Sequence, residues 1–267
     1  QLALGGLVRL KDELHGFRLN RKDGEESLRK FVEKENIMQK ILITNDDGIQ
    51  SDGIIRLARA AKKYGKVWVV APDGQRSAMS HRITLHETIE FFPVDFPVEG
   101  VHAYASTGTP ADCVRFGILN IVKEKPDYVF SGINYGYNSG TDIQYSATVG
   151  SALEAACAGV HAVAFSEGAS ECHEVTDAYL ERMMEELMEQ PLAYNQIWNV
   201  NFPQCELEKL RGILYDRKIA DCGFFIDEYL EEELENGRIR LTVHGNYNEN
   251  APEGTDFRAL VDGYISV

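Results

Sequence analysis

The chain predicts an α/β protein: a Rossmann-like, mostly parallel sheet with helices on both faces, followed by a smaller β-rich region at its C-terminal end. Three observations predict it. Apolar strand-length runs alternate with segments of helical period from Lys40 to Val200. A length of 267 residues, 44% hydrophobic and 26% charged, is enough to bury a full core in one large domain. Beyond Pro203 the chain changes to short segments punctuated by polar residues.

The elements follow in order. Ile41-Leu42-Ile43-Thr44 is an apolar strand that stops abruptly at Asn45-Asp46-Asp47-Gly48. From Gly53 to Tyr64 the apolar residues Ile54, Ile55, Leu57, Ala58 and Ala61 recur at helical spacing, and Gly65 stands where a C-terminal glycine cap would. A second strand, Val67 to Ala71, precedes two β-rich pieces at Ile83–Phe92 and Val101–Ser106. Then come a helix from Ala111 to Lys123, a strand Tyr128–Ser131, a helix Thr148–Ala158, a strand Ala162–Phe165, a helix Val175–Met188 and a strand Ile197–Val200. Further strands are expected at Gly212–Asp216 and Arg238–His244. Residues 1–37 mix charges of both signs with few long apolar runs, and Met38 reads as the natural start; 1–37 is therefore set apart as an extension. The rest divides into an α/β core, 38–203, and a β-rich part, 204–267.

Composition restricts the partners. The net charge of −15 makes duplex nucleic acid an unfavourable ligand, and no run approaches the roughly 18 apolar residues of a membrane span. The five cysteines are odd in number, scattered, and contain no C-x-x-C pair, which argues against a disulfide framework or a zinc site. A cytoplasmic location is expected. The acidic stretches Glu174–Glu189 and Asp227–Glu233 read as solvated faces.

Chemistry concentrates past the carboxyl ends of the parallel strands, where open α/β sheets bind ligands. The first strand presents Asp46 and Asp47, the second leads through Pro72-Asp73-Gly74-Gln75-Arg76 to Ser77, and the Tyr128 strand leads to Asn134. Asn-Asp-Asp-Gly is also ordinary turn chemistry. Two carboxylates, a hydroxyl and an amide converging on one edge form an all-oxygen donor set, suited to Mg²⁺, Mn²⁺ or Ca²⁺ rather than to zinc or copper. Glycine-rich Gly132–Gly140 and the segment Ser106-Thr107-Gly108-Thr109 before a helix offer backbone N–H groups to an anion.

These blocks resemble the SurE (survival protein E) family of metal-dependent phosphatases acting on nucleoside 5′- and 3′-monophosphates. The resemblance rests on Ile41–Gly48 with Gly53, Ala71–Ser77, His81–Leu85, Gly108–Val114, Ser131–Asn134 with Gly136, Asn138 and Gly140, Tyr145–Gly150, and Glu253–Asp256, and it spans 38–267. It implies one divalent ion per subunit on Asp46, Asp47, Ser77 and Asn134, and a homodimer or homotetramer in which the C-terminal part reaches a neighbour. Ala147 stands where the family more often has glycine, and His161 where proline is common. The chain ends at Val267, short of the usual tail.

The expected activity is hydrolysis of nucleoside 5′-monophosphates, extending to 3′-monophosphates and short polyphosphate, by a metal-activated water. His81 is the expected general acid, with a single loop hydrogen bond as its alternative role. Asn45, Ser106, Gly108, Thr109, Gly132 and Asn138 are the expected phosphate and substrate contacts, and Phe91, Phe92 and Tyr104 stand either as base-stacking residues or as core. Three rival chemistries are weaker. A phospho-aspartate route calls for Asp-x-Asp spacing, whereas here the acids are adjacent. A dinucleotide oxidoreductase calls for G-x-G-x-x-G in the first loop, which carries Asp46 and Asp47 instead. A nucleotide- or metal-binding regulatory module without turnover has no need of an open metal position.

Overall fold

Alternation along the strands decides which helix covers which face. In the computed structural model, which describes residues 38–248 and 250–267, β1 (Gln39–Thr44) sends Ile41 and Ile43 to one side and Leu42 to the other. The expected extension, 1–37, lies outside the described residues. On the Ile41 side lie α1 (Asp52–Ala61) and α4 (Glu174–Glu189), through Ile54, Leu57, Leu180 and Met183. On the Leu42 side lie α2 (Pro110–Phe116) and α3 (Ala147–Cys157), through Val114, Val149 and Ala152. Burying each of the larger aliphatic side chains stabilises the fold by roughly 1.5–3 kcal/mol, so both layers hold the sheet.

The remaining strands are β2 (Gly65–Pro72), β3 (Phe91–Pro93), β4 (His102–Ser106), β5 (Tyr128–Tyr135), β6 (His161–Glu167), β7 (Trp198–Phe202), β8 (Gly212–Leu214), β9 (Phe225–Glu233), β10 (Ile239–Tyr247) and β11 (Tyr264–Ser266). The large sheet has the order β3-β4-β2-β1-β5-β6-β7-β11-β8 and is parallel from β4 to β7. The chain leaves β1 for β2 on one side and later returns to place β5 on the other. The carboxyl ends of β1 and β5 therefore flank a topological switch point, where such sheets open a crevice.

Several expectations are corrected. Gly65 is not a helix cap: it opens β2, where a Cβ would lie 2.0 Å from the Gln39 carbonyl oxygen. The helix expected to reach Lys123 ends at Phe116 and loosens into a π turn, Gly117–Ile121. Of the β-rich stretch 83–92, only its last two residues enter a strand. The acidic run 227–233 keeps its expected solvated face at Glu228–Glu233 and lies in β9, which pairs with β10 in a separate antiparallel hairpin. The short helix α5 (Asp256–Val261) and β11 went unread. Because β8 and β11 belong to the large sheet, only the hairpin of the 204–267 part stands outside it.

Candidate functional site at the β1–β5 switch point

β1 ends in a turn that is fixed before any ligand arrives. Asn45 is buried and donates through Nδ2 to the Gly48 carbonyl at 3.0 Å and to Ser51 Oγ at 2.7 Å, leaving its own Oδ1 buried without a partner. Gly48 has φ +97°, a conformation that side chains resist, and a Cβ there would lie 3.2 Å from the Gly74 backbone of the neighbouring loop. This turn projects two adjacent acids over the sheet edge.

Asp46 is only 3% exposed, and its Oδ1 accepts a 2.5 Å hydrogen bond from Thr148 Oγ1 at the start of α3. Burial pushes its carboxyl up to about 6; the Thr148 hydroxyl opposes the shift and the charge of Asp47 adds to it. Asp47 is half-buried and accepts the Tyr135 N–H at 3.1 Å; burial raises its carboxyl too, against that N–H. Among the described residues, no lysine, arginine or histidine pairs with either acid. Two neighbouring carboxylates withdrawn from water without a cation are an electrostatic deficit that a bound cation would remove.

The other two predicted donors arrive on neighbouring strands. The Arg76 N–H donates to the Asp46 carbonyl at 2.7 Å, which brings Ser77 beside the acids; its exposed Oγ accepts from Gln75 Nε2 at 3.2 Å. The loop then passes through Ala78 and Ser80, both at positive φ, and Ser80 is tied to the Tyr145 and Gln144 carbonyls. At the end of β5, Asn134 donates Nδ2 to the Gly136 carbonyl at 2.8 Å, which turns its Oδ1 free to act as a ligand. Gly132 is required by packing, since a Cβ there would lie 2.2 Å from the Phe165 carbonyl oxygen. Asp46 and Asp47 at the end of β1 and Asn134 near the end of β5 thus stand on neighbouring strands, with the loop that carries Ser77 tied to the Asp46 backbone. Among the described residues no three His, Cys, Asp or Glu side chains form a metal-holding group, so a cation here has to draw on the hydroxyl and amide oxygens as well.

The expected substrate contacts fare differently. Ser106 is buried and its Oγ accepts the Gly108 N–H; Thr109 caps α2 and donates to the Arg82 carbonyl at 2.6 Å. Asp112 completes that cap and holds the backbone and hydroxyl of Thr84. Asn138 is buried in a polar knot with Ser166, Asn199 and Asn201 that ties the ends of β5, β6 and β7 together. His81 Nε2 lies 2.8 Å from Glu154 Oε2, and Arg115 reaches the same carboxylate. Phe91 packs edge-on against Phe116, and Tyr104 lies against the core on the α2 side.

One element of the site was missed in the sequence. The first turn of α3 abuts Asp46 through Thr148, with Ser146 as its N-cap accepting the Val149 N–H at 3.0 Å. A helix N-terminus carries unpaired N–H groups and partial positive charge, so it attracts an anion. Its signal in the sequence is Ser146-Ala147-Thr148-Val149, a serine cap before a helical run. Beyond Asp47 a cleft of about 400 Å³ opens on the α1–α4 side, bounded by Gln75, Ile133, Tyr135, Glu167, Glu171 and His173.

The fold and its crevice define a doubly wound α/β protein with an all-oxygen donor edge facing a helix N-terminus. The chain belongs to the SurE family: the family described as survival protein SurE matches residues 41–221. It is 39% identical over 233 residues to the 5′-nucleotidase SurE of Thermoanaerobacter sp. (strain X514), covering 85% of this chain and 90% of that protein. The 5′-nucleotidase SurE of Clostridium botulinum (strain Loch Maree / Type A3) is similar to the same extent, 39% over 233 residues with the same coverage. The crystal structure of the SurE protein from Aquifex aeolicus superposes with a TM-score of 0.71 at 32% identity, covering 85% of this chain and 90% of that one.

Proposed function

We propose that this chain is a metal-dependent phosphomonoesterase hydrolysing nucleoside 5′-monophosphates, with 3′-monophosphates and short polyphosphate as secondary substrates. One observation carries the proposal: Asp46, adjacent to Asp47 and like it without a cationic partner among the described residues, is hydrogen-bonded to Thr148 in the N-terminal turn of α3, so a cation site and an anion site adjoin. The relatives named 5′-nucleotidase SurE support the substrate class.

Asp46, Asp47, Ser77 and Asn134 fit Mg²⁺ or Mn²⁺, with Ca²⁺ as a substitute, by donor chemistry and by the negative charge they leave unbalanced. When bound, the ion supplies Lewis-acid polarisation of the phosphate and acidification of water. The chain's own residues supply position. Thr148 fixes the Asp46 carboxylate, Tyr135 fixes that of Asp47, and the N–H groups of the first α3 turn orient the phosphate. Gly108 and Gly132 keep backbone close to the crevice, with Ser106 and Thr109 bracing the α2 cap beside it. We assign His81 to holding the 78–81 loop against α3 through Glu154 rather than to proton transfer. Homodimer or homotetramer formation through the hairpin, and a cytoplasmic setting that keeps the five cysteines as thiols, complete the reading.

The test is phosphate release from 5′- and 3′-nucleoside monophosphates, tripolyphosphate and p-nitrophenyl phosphate with Mg²⁺, Mn²⁺ or EDTA. Turnover with metal, greatest on 5′-monophosphates and abolished by EDTA, is expected. Metal-independent turnover, or none from folded protein, would contradict the proposal.

A further inference from the structure

Glu167, the last residue of β6, pairs with Phe202, the last of β7, so the segments 168–173 and 203–206 leave the sheet side by side. They are also packed together. A Cβ on Gly168 would lie 2.4 Å from Gln204 Cβ, which shows how closely Gln204 sits on that backbone. The Leu207 N–H donates to Glu174 Oε2 at 2.9 Å, joining the second segment to the start of α4. Each segment carries one free cysteine, Cys172 and Cys205, and both are half-buried.

The two cysteines meet where the segments touch. Cys172 Sγ donates to the Cys205 carbonyl at 3.3 Å, while the Cys172 N–H is held by Ser170 Oγ at 3.2 Å and the Cys205 N–H by the Pro203 carbonyl at 3.0 Å. Covalent dimensions place a residue's Cβ roughly 3 Å from its own carbonyl oxygen, so Cys172 Sγ stands within about 6 Å of Cys205 Cβ. A sulfur swings through a comparable distance when χ1 changes rotamer, which covers the remaining approach to disulfide geometry. The thiols are also electrostatic neighbours: burial raises the Cys205 thiol, Cys172 adds to the shift, and Lys209 opposes it. Cys172 stands between Glu171 and His173, which line the cleft that begins at Asp47. His173 Nδ1 in turn faces Glu167 at 3.0 Å. A change at Cys172 therefore reaches the cleft wall through its immediate neighbours.

We propose that Cys172 and Cys205 form a reversible oxidation site, closing an intramolecular disulfide when the folded protein meets a hydroperoxide. One thiolate attacks a peroxide oxygen and breaks the O–O bond, which leaves a sulfenic acid and, after protonation, water. The second thiolate attacks that sulfur; the S–S bond forms, and the departing hydroxide takes a proton to become water. The two thiols together lose two electrons and two protons, and hydrogen peroxide is reduced to two waters. The bond clamps 168–173 to 203–206 and fixes the cleft wall at Glu171 and His173. Resting on the phosphatase reading above, the clamp slows turnover, because substrate entry and product release draw on motion of the loops that bound a cleft. A thiol reductant reverses both effects.

The experiment uses the full chain as parent, Cys172→Ser and Cys205→Ser, each treated with hydrogen peroxide in EDTA, freed of peroxide, and divided into portions with and without dithiothreitol. Alkylation and peptide mass mapping read the bond, and thermal melts read the clamp; neither needs turnover. Phosphate release from AMP after Mg²⁺ is restored reads the consequence. The Cys172 and Cys205 peptides are expected to be recovered joined from the oxidised parent. Because the bond spans 33 residues of chain and restricts the unfolded state, Tm is expected to rise by several degrees. AMP turnover is expected to fall several-fold. All three changes should be reversed by dithiothreitol and absent from both serine variants. Recovery of the two cysteines as separate alkylated thiols from the treated parent, or joined to other cysteines, would overturn the site. A bridge that leaves the turnover of an active parent unchanged would overturn the clamp. A bridge that raises Tm in a parent without turnover before oxidation would support the site and contradict the phosphatase reading instead.

Discussion

Thr148 Oγ1 donates a 2.5 Å hydrogen bond to Asp46 Oδ1, fastening the first turn of α3 to the end of β1. The contact couples an anion-attracting helix end to the more deeply buried of the two acids. It also opposes the burial that pushes the Asp46 carboxyl up to about 6.

Removing that hydroxyl has a definite cost. In Thr148→Val the acid loses the only side-chain donor it has among the described residues, and catalytic efficiency is expected to fall about ten- to hundredfold, the range for groups that orient a metal ligand. Thr148→Ser keeps the hydroxyl and should stay within several-fold of the parent. Steady-state kinetics on AMP distinguish the two, and equal losses would mean that the methyl packing matters rather than the hydrogen bond.

Metal binding is expected to be visible without turnover. A divalent cation at one hundred times its dissociation constant stabilises a folded protein by about 2.7 kcal/mol, so Mn²⁺ should raise Tm by several degrees and EDTA should reverse it. Asn134→Ala should weaken the effect, because it removes one donor while leaving both acids. Differential scanning calorimetry at fixed pH checks this.

His81 is expected to matter little to the chemistry. Its ring is held by Glu154, so His81→Ala should lower kcat by well under tenfold while loosening the loop that carries Ser80. A loss of a hundredfold or more, together with loss of the acidic or basic limb of the pH–rate profile, would restore it as a proton donor.

His161 supplies a pH dependence away from the site. Burial lowers its pKa, and its Nε2 is enclosed without a partner beside Tyr128. The unfolded chain therefore binds a proton more readily than the folded one. The stability this group contributes is full above the ordinary histidine value, about 6.5, and is lost as pH falls through and below it. Tm should drop between pH 7.5 and 5.5, and the drop should be smaller in His161→Asn, as thermal melts across that window will show.

The hairpin β9–β10 leaves Tyr229, Leu230, Leu241 and Val243 more than half exposed, on an element too small to be stable alone in water. Leu230→Glu with Val243→Glu is expected to shift the protein toward monomer in light scattering. An unchanged mass would place any subunit contact elsewhere.

The core strands were legible because burial on both faces leaves long apolar runs, as in Leu42, Val69 and Val163, and because acids stand out at their ends. Strand-end reasoning gathered Asp46, Asp47, Ser77 and Asn134, and the strand order β2-β1-β5 makes their strands neighbours. What failed has physical reasons. The acidic run was expected as a solvated face, and Glu228–Glu233 is exposed; that the run is a strand paired with β10 was not legible in its charge. Gly65 carries the signal of a cap, yet it is glycine because Gln39 approaches its Cα. For Ser106, Thr109 and Asn138, expected as substrate contacts, pattern alone does not reveal the hydrogen bonds that their side chains make within the fold. For Phe91 and Tyr104 the sequence left base stacking and core packing open, and both pack against the core on the α2 side, whereas Tyr135, which lines the cleft beside Asp47, carried no such pattern.

The most direct test is phosphate release from AMP under saturating Mg²⁺ by the parent and by Asp47→Asn, with folding checked by circular dichroism. Asparagine keeps the size and most hydrogen bonds of the side chain but removes its charge, so the account predicts robust turnover by the parent and a loss of at least a hundredfold in the variant. Turnover retained in folded Asp47→Asn would contradict the claim that the paired acids of β1 carry the chemistry.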